Sequence, residues 1–257
     1  MKGWMFGVLM LGAMPAVAGD WPEFRGPNGD GRVADAPPLP LTWSETENVT
    51  WKTAIPNIGW STPVAMDGAI WLTSATEQGH DFFVHRIDAE TGKMVFSEKL
   101  FHCDEPEPLG NSVNCYASPT AALEKGRVYV HFGSYGTACL DTRTNQTLWK
   151  RNDMPCRHYR GPGSSAILHG DLLILTFDGV DRQYMTALDK HSGKTVWRTD
   201  RSTEWNDLDE SGQPKREGDF RKAFSTPIVA TVDGKEQLIC PASYAVFAYN
   251  PQTGTEL

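Results

Sequence analysis

Beyond its first twenty residues the chain has no long hydrophobic run, no amphipathic helical stretch and no block of basic residues. The first absence excludes a membrane-spanning helix from the body of the protein. The last argues against nucleic acid as a partner, because phosphate binding needs clustered Lys and Arg, and the formal net charge is −8. Cysteine is scarce, with five in 257 residues, and no Cys-x-x-Cys or Cys/His spacing suits zinc. Gly-x-Ser-x-Gly, a Gly-rich phosphate loop and His-Glu-x-x-His are all missing, so hydrolase and nucleotide chemistry have no motif to stand on.

What is present points to strands. Nine Trp, 24 Gly and 17 Pro suit many short strands joined by tight turns rather than long helices. At the amino terminus Lys2 precedes an apolar run from Trp4 to Ala13, and Ala16-Val17-Ala18 supplies a small-x-small cleavage site before Gly19. That run is too short to cross a bilayer, so residues 1–18 are expected to be a secretory signal peptide and the protein to be exported, periplasmic or extracellular, with no transmembrane segment after signal removal. An exported compartment permits disulfides, and five cysteines leave at least one unpaired. Cys103 and Cys115 bracket a Pro- and Gly-containing stretch that a bridge between them would close. Cys139 and Cys240 sit in strand-like runs and read as small buried residues.

An internal repeat organises the rest. Each copy opens near Ser-Thr-Pro or a relative, runs through further strands and closes with a turn and an aromatic. The openings are Ser61-Thr62-Pro63, Ala117-Ser118-Pro119, Ser164-Ser165-Ala166 and Ser225-Thr226-Pro227. The closings are Asp88 with Phe96, Asp141 with Trp149, and Asp189 with Gly193 and Trp197; the ring stands eight residues after the Asp each time. Asp accepts from amides just ahead of it and Gly takes the positive φ that closes the turn, so the next strand carries its ring toward a neighbouring unit. Spacings of about fifty residues with four strands per unit predict β-propeller blades. The fold is therefore expected to be all-β: a propeller of four-stranded antiparallel blades at about 60–101, 116–151, 164–200 and 223–257, following an N-terminal extension at 19–47. Residues 48–55, with Trp51, are expected to be the outer strand of a preceding blade. About four blades of a seven- or eight-bladed ring are expected.

Ala187-x-Asp189-x-x-x-Gly193-x-x-x-Trp197 resembles the tryptophan-docking motif of pyrroloquinoline-quinone (PQQ) propellers. The opening Trp21-Pro22-Glu23-Phe24-Arg25-Gly26-Pro27-Asn28 is similar to the start of exported PQQ-like repeat proteins. The resemblance implies blade-docking roles for Asp88, Phe96, Asp141, Trp149, Asp189, Gly193, Trp197 and Trp51. It implies one of two functions. Quinoprotein dehydrogenases hold PQQ and calcium and oxidise alcohols or sugars; they carry an adjacent Cys pair, which this chain lacks. The branch similar to the BamB assembly factor uses the propeller as a protein-binding scaffold without cofactor; its members are lipoproteins, and no Cys stands at this chain's cleavage site.

Long links between blades are where propellers usually bind. The link from Arg151 to Gly163 concentrates Arg157, His158, Tyr159 and Arg160, which suit an anion or an acidic partner group, or else a rigid turn bonding loop carbonyls. Asp207 to Gly212 opens like a calcium loop but has Gly218 where the closing Glu belongs. Trp60, Trp71, Trp149 and Trp197 read as packing between blades. The expectation is a non-catalytic exported scaffold for a protein or an extracytoplasmic small-molecule or carbohydrate ligand, with no cofactor. The alternative is a PQQ-dependent oxidoreductase.

Overall fold

The computed structural model describes residues 19–33, 38–110, 112–207, 209–211 and 218–257; the signal-peptide assignment to residues 1–18 lies outside them. The first sheet comprises β1 (Val64–Met66), β2 (Ala69–Ala75), β3 (Asp81–Asp88) and β4 (Met94–His102). The second comprises β5 (Ala122–Glu124), β6 (Arg127–His131), β7 (Thr137–Asp141) and β8 (Thr147–Arg151). The third comprises β9 (Ile167–His169), β10 (Leu172–Asp178), β11 (Gln183–Asp189) and β12 (Thr195–Asp200). The fourth comprises β13 (Ile228–Val232), β14 (Lys235–Pro241) and β15 (Val246–Tyr249). Every pairing is antiparallel between consecutive strands, and the one helical element among the described residues is a 3₁₀ turn, Gly218–Arg221.

Local chemistry explains the meander. The first hairpin of blade 1 turns on Asp67-Gly68, and that of blade 4 on Asp233-Gly234, all with positive φ, as a two-residue turn between right-twisted strands demands. The second strand of blade 3, Leu172–Asp178, is buried along its whole length. Such a strand needs cover on both faces, and neighbouring blades provide it. Three core clusters result. The first joins Trp71 and Phe82 of blade 1 to Val128 and Phe132 of blade 2. The second joins Tyr129 and Cys139 to Leu173 and Phe177. The third joins Ile174, Met185 and Trp197 to Leu238 and Phe247. Each blade thus packs on its sequence neighbours, which is propeller packing and not a two-layer sandwich.

The closing turns fasten neighbours together. Trp149 donates its indole N–H to the Lys190 carbonyl of the next blade at 3.0 Å, and Trp197 donates to Pro251 at 3.0 Å. Trp51 does the same to Ala89 at 3.1 Å. Beneath these indoles lie Gly193, Gly254 and Gly92, all at positive φ, where an added Cβ would strike the ring. The turns are preformed: the Thr91 and Ser192 hydroxyls donate to Oδ1 of Asp88 and Asp189, and amides two or three residues ahead donate to Oδ1 of Asp88, Asp141 and Asp189, which together hold all three carboxyls below the usual carboxylate range.

Two details depart from expectation. Residues 48–55 carry no strand ladder, because Trp51 and Thr53 direct their side-chain hydrogen bonds sideways to the blade 1 turn. Phe96, lacking an N–H, packs edge-on against Trp71 of its own blade at 6.2 Å. At that junction Asn145 (φ 60°) takes the glycine position, and Arg86 supplies the bond across, to Asn145 Oδ1 at 3.3 Å.

Near the axis a hydroxyl relay joins the blades. The Thr62 amide donates to Thr120 Oγ1 (3.0 Å), the Thr120 amide to Ser165 Oγ (2.9 Å), and the Ser165 amide to Thr226 Oγ1 (3.0 Å).

Candidate functional site

In a meander the corner between the second and third strands and the link to the next blade fall on the same side. That side carries the links 103–121, 152–166 and 201–227 together with the corners 76–80, 132–136, 179–182 and 242–245. Arg157, His158, Tyr159 and Arg160 lie on the middle link, brought together but facing different surroundings.

Arg157 places its guanidinium on Glu107 of the first link, with Nη2 to Oε1 at 3.0 Å and Nε to Oε1 at 3.2 Å. Its amide donates to Asp181 Oδ1 at 2.7 Å. The Tyr159 amide donates to Glu107 Oε2 at 2.9 Å, and its carbonyl accepts from the Gly110 amide at 2.7 Å. Tyr116 Oη donates to the Glu107 carbonyl (2.9 Å) and the Glu107 amide donates to Tyr135 Oη (3.2 Å). Glu107 is therefore the hub that joins the two links. Sequence reading missed it, since an acid among prolines carries no periodicity.

His158 is buried. Its Nε2 accepts from the Ser134 amide at 3.1 Å, its ring stacks on Phe177, and Gly133 leaves no room beneath it for a side chain. Burial, then the nearby Lys222 ammonium and His131, hold this imidazole neutral, well below the ordinary histidine range. Burial alone pushes His131 down to about 3. Arg160 lies 5.8 Å from the Tyr159 ring and lines a groove of about 600 Å³ with Trp60, Val113, Asn114, Ser118, Gly163 and Phe224. Asn114 is engaged on both sides: Nδ2 donates to the carbonyls of Arg160 (2.8 Å) and Pro162 (3.0 Å), and Oδ1 accepts from Ser118. Trp60 is a correction. Expected to pack between blades, it is 52% exposed, because it belongs to the link before β1 and not to a strand, whereas Trp71 is 1% exposed.

Below this face, Asp178 and Arg201 form a buried fork-to-fork ion pair, 2.6 Å from Nε and 2.7 Å from Nη2. Burial pushes the Asp178 carboxyl up and Arg201 pulls against it. Asp207, first residue of the stretch resembling a calcium loop, is paired with Arg221; Leu208, Gly212 and residues up to 217 lie outside the described residues. All five cysteines are free thiols, and Cys115 Sγ meets Ser118 Oγ at 3.3 Å rather than Cys103.

Calcium requires several converging oxygen ligands. Among the described residues no three His, Cys, Asp or Glu side chains converge on a point suited to an ion. Asp178, the one fully buried carboxylate among them, has both oxygens on Arg201. These residues do not fit a calcium-held quinone.

Three four-stranded meanders and a three-stranded one packed around an axis, with indoles of Trp51, Trp149 and Trp197 bonded to the following blade's turn, define a β-propeller of the tryptophan-docked repeat class. Residues 42–200 match the family model described as outer membrane protein assembly factor BamB, and the chain belongs to this PQQ-like propeller family. It is similar to quinohemoprotein alcohol dehydrogenase ADH-IIG of Pseudomonas putida, 27% identical over 222 residues, which cover 74% of this chain and 29% of the relative. It is also similar to the dehydrogenase subunit of alcohol dehydrogenase (quinone) of Komagataeibacter europaeus, 28% identical over 153 residues, or 53% of this chain and 19% of the relative. The chain thus spans less than a third of the length of these curated relatives. Among solved structures, the quinohemoprotein alcohol dehydrogenase of Comamonas testosteroni aligns with a TM-score of 0.57 at 20% identity, over 93% of this chain and 40% of that one. BamB of Moraxella catarrhalis aligns with a TM-score of 0.53 at 18% identity, over 83% and 56% respectively. These likenesses establish the fold.

Proposed function

We propose that this chain is an exported, non-catalytic propeller scaffold whose link-bearing face docks a segment of another protein. The observation that carries this reading is the groove. Its apolar side chains Trp60, Val113 and Phe224 are exposed, while the polar side chains around it are engaged in holding the links: Asn114 to two carbonyls, Arg157 to Glu107 and His158 to Ser134. A surface with exposed aromatics over an immobilised frame suits docking, because little side-chain entropy is lost on binding. Burial holds the His158 imidazole neutral, which takes it out of acid-base work on this face. The family's description as an assembly factor favours a protein as the occupant. The alternative, a quinone-dependent oxidoreductase acting on alcohols or sugars, draws its support from the named activity of the 27% identical relative.

A photo-crosslinking amino acid placed at Trp60 in producing cells is expected to capture a discrete protein, whereas the same group at exposed Val95 on β4 captures none. In parallel, PQQ and calcium are added to the purified protein. A quinone absorbance band accompanied by dye-linked oxidation of an alcohol or sugar would overturn the scaffold reading. Export is tested by the mass of the mature chain, which is expected to begin at Gly19 in the extracytoplasmic fraction.

A further inference from the structure

The segment preceding the blades runs along the inner strands at the axis. Trp21 and Ala65 of β1 exchange amide-to-carbonyl bonds at 2.7 and 2.9 Å. The Leu123 amide of β5 donates to the Pro22 carbonyl at 2.7 Å. The Leu168 amide of β9 faces the Glu23 side chain, and both residues line one cavity. Ala65, Leu123 and Leu168 each stand three residues after the relay hydroxyl of their blade, Thr62, Thr120 and Ser165. Successive residues of the segment therefore meet equivalent amides of successive blades. The third meeting differs in kind: blades 1 and 2 bond a fixed backbone carbonyl, and blade 3 faces an ionisable carboxyl.

The segment is also stapled to itself. The Gly26 amide donates to the Glu23 carbonyl (2.9 Å) and the Gly31 amide to the Arg25 carbonyl (2.8 Å). The Trp21 ring covers Gly26, whose φ of 77° and close ring contact exclude a side chain. Beyond Glu23 opens a cavity of about 550 Å³ toward blade 4. Burial pushes the Glu23 carboxyl up to about 7, against the lowering effect of the Leu168 amide. Among the described residues no counter-ion faces it. Arg25 lines the same cavity but is exposed and forms no ion pair with Glu23. Next to Leu168, His169 pairs with Glu236 at 3.4 Å, and next to Leu123, Glu124 pairs with Lys190 at 2.8 Å. Blade 4 offers Thr226, Val229 and Pro241, none of them titratable.

We propose that residues 21–31 form a proton-sensitive strap tying blades 1 to 3 at the axis, seated while Glu23 carries its proton and loosened when it ionises. A protonated carboxyl turns an oxygen toward the Leu168 amide and sits in the partly buried cavity wall at little desolvation cost. An ionised one without a partner must recruit water or withdraw. The folded-state value lies above the unfolded one, so the strap's contribution is complete at low pH and is lost as pH rises through about 7. This inference is independent of what docks on the link face.

Hydrogen-exchange protection factors, corrected for intrinsic rates, are measured for the Ala65, Leu123 and Leu168 amides of the full chain. From about pH 5.5 to about pH 8.5, Leu168 protection is expected to fall by about tenfold. Glu23→Gln is expected to hold it high and flat over that range, while Trp21→Ala is expected to lower Ala65 protection equally at both ends. Equal wild-type protection at the two pH values, or an undiminished fall in Glu23→Gln, would overturn the proposal.

Discussion

A residue's tolerance for change here depends on what leans against it, and the glycines make the point. Gly193 and Gly170 both have positive φ, 72° and 56°. A Cβ on Gly193 would lie 2.7 Å from the Trp149 ring, whereas one on Gly170 would meet nothing closer than 3.9 Å. Gly170→Ala is therefore expected to cost about 1–2 kcal/mol, the backbone penalty of a left-handed residue. Gly193→Ala is expected to cost about 3 kcal/mol or more, because the indole must also leave its seat. Urea denaturation of the two variants checks the ordering, and equal costs would mean the ring is not docked. The buried imidazoles act through pH. His131 and His158 are held below their unfolded value, so the unfolded chain binds more protons as pH falls through about 6.5, and stability declines with it. Each fully desolvated imidazole is expected to remove about 2 kcal/mol between pH 6.5 and 5. Glu23 opposes this over the same window, so the urea series belongs in a Glu23→Gln background. Stability that stays level down to pH 5 there would show that these rings are not held neutral.

At the scale of the element, blades meet through two kinds of fastening, ring on turn at the rim and hydroxyl on amide near the axis. Ser165 accepts from the Thr120 amide in a buried place. Ser165→Ala leaves that amide unsatisfied, an expected cost of about 1–3 kcal/mol, and Ser165→Thr restores most of it; thermal unfolding of the pair separates lost hydrogen bonding from altered packing. The rim fastening was legible in the sequence because it is local: Asp189, Gly193 and Trp197 lie within one hairpin, and their spacing records its geometry. The axial fastening was legible only in part. The Ser-Thr-Pro pattern placed Ala117-Ser118-Pro119 in register with the other openings, yet the hydroxyl of the relay is Thr120. Hydrogen bonding, not proline, sets the repeat there. The link face was the least legible. Glu107 is joined to Tyr159 and Asn114 to Pro162 across 52 and 48 residues, separations at which no motif signals contact. Arg157 to Arg160 stood out by composition, and their roles emerged only with the partners that lie on another link.

For the molecule as a whole, a succession of interfaces between neighbours predicts stability that is a sum of blade and interface terms, so damage at one junction stays near it. The junction of blades 3 and 4 offers the sharpest test. Arg201 follows β12, bonds Asp178 of its own blade, and reaches across to Tyr249 Oη at 3.2 Å and over the Phe247 ring at 4.8 Å. Trp197 docks on the same neighbour at Pro251. Arg201→Leu would keep apolar bulk against Phe247 but leave the Asp178 carboxylate buried without its partner, a loss of about 3–5 kcal/mol for a broken buried pair. If interfaces couple only neighbours, exchange of the β14 and β15 amides should quicken by orders of magnitude, while amides of β2 and β6 keep their protection. Asp178→Asn with Arg201→Leu should recover much of the loss, since the stranded charge is then gone. A uniform fall in protection from β2 through β15 would instead mean that the axial strap and relay bind the blades into one cooperative unit, and the neighbour-sum description would fail.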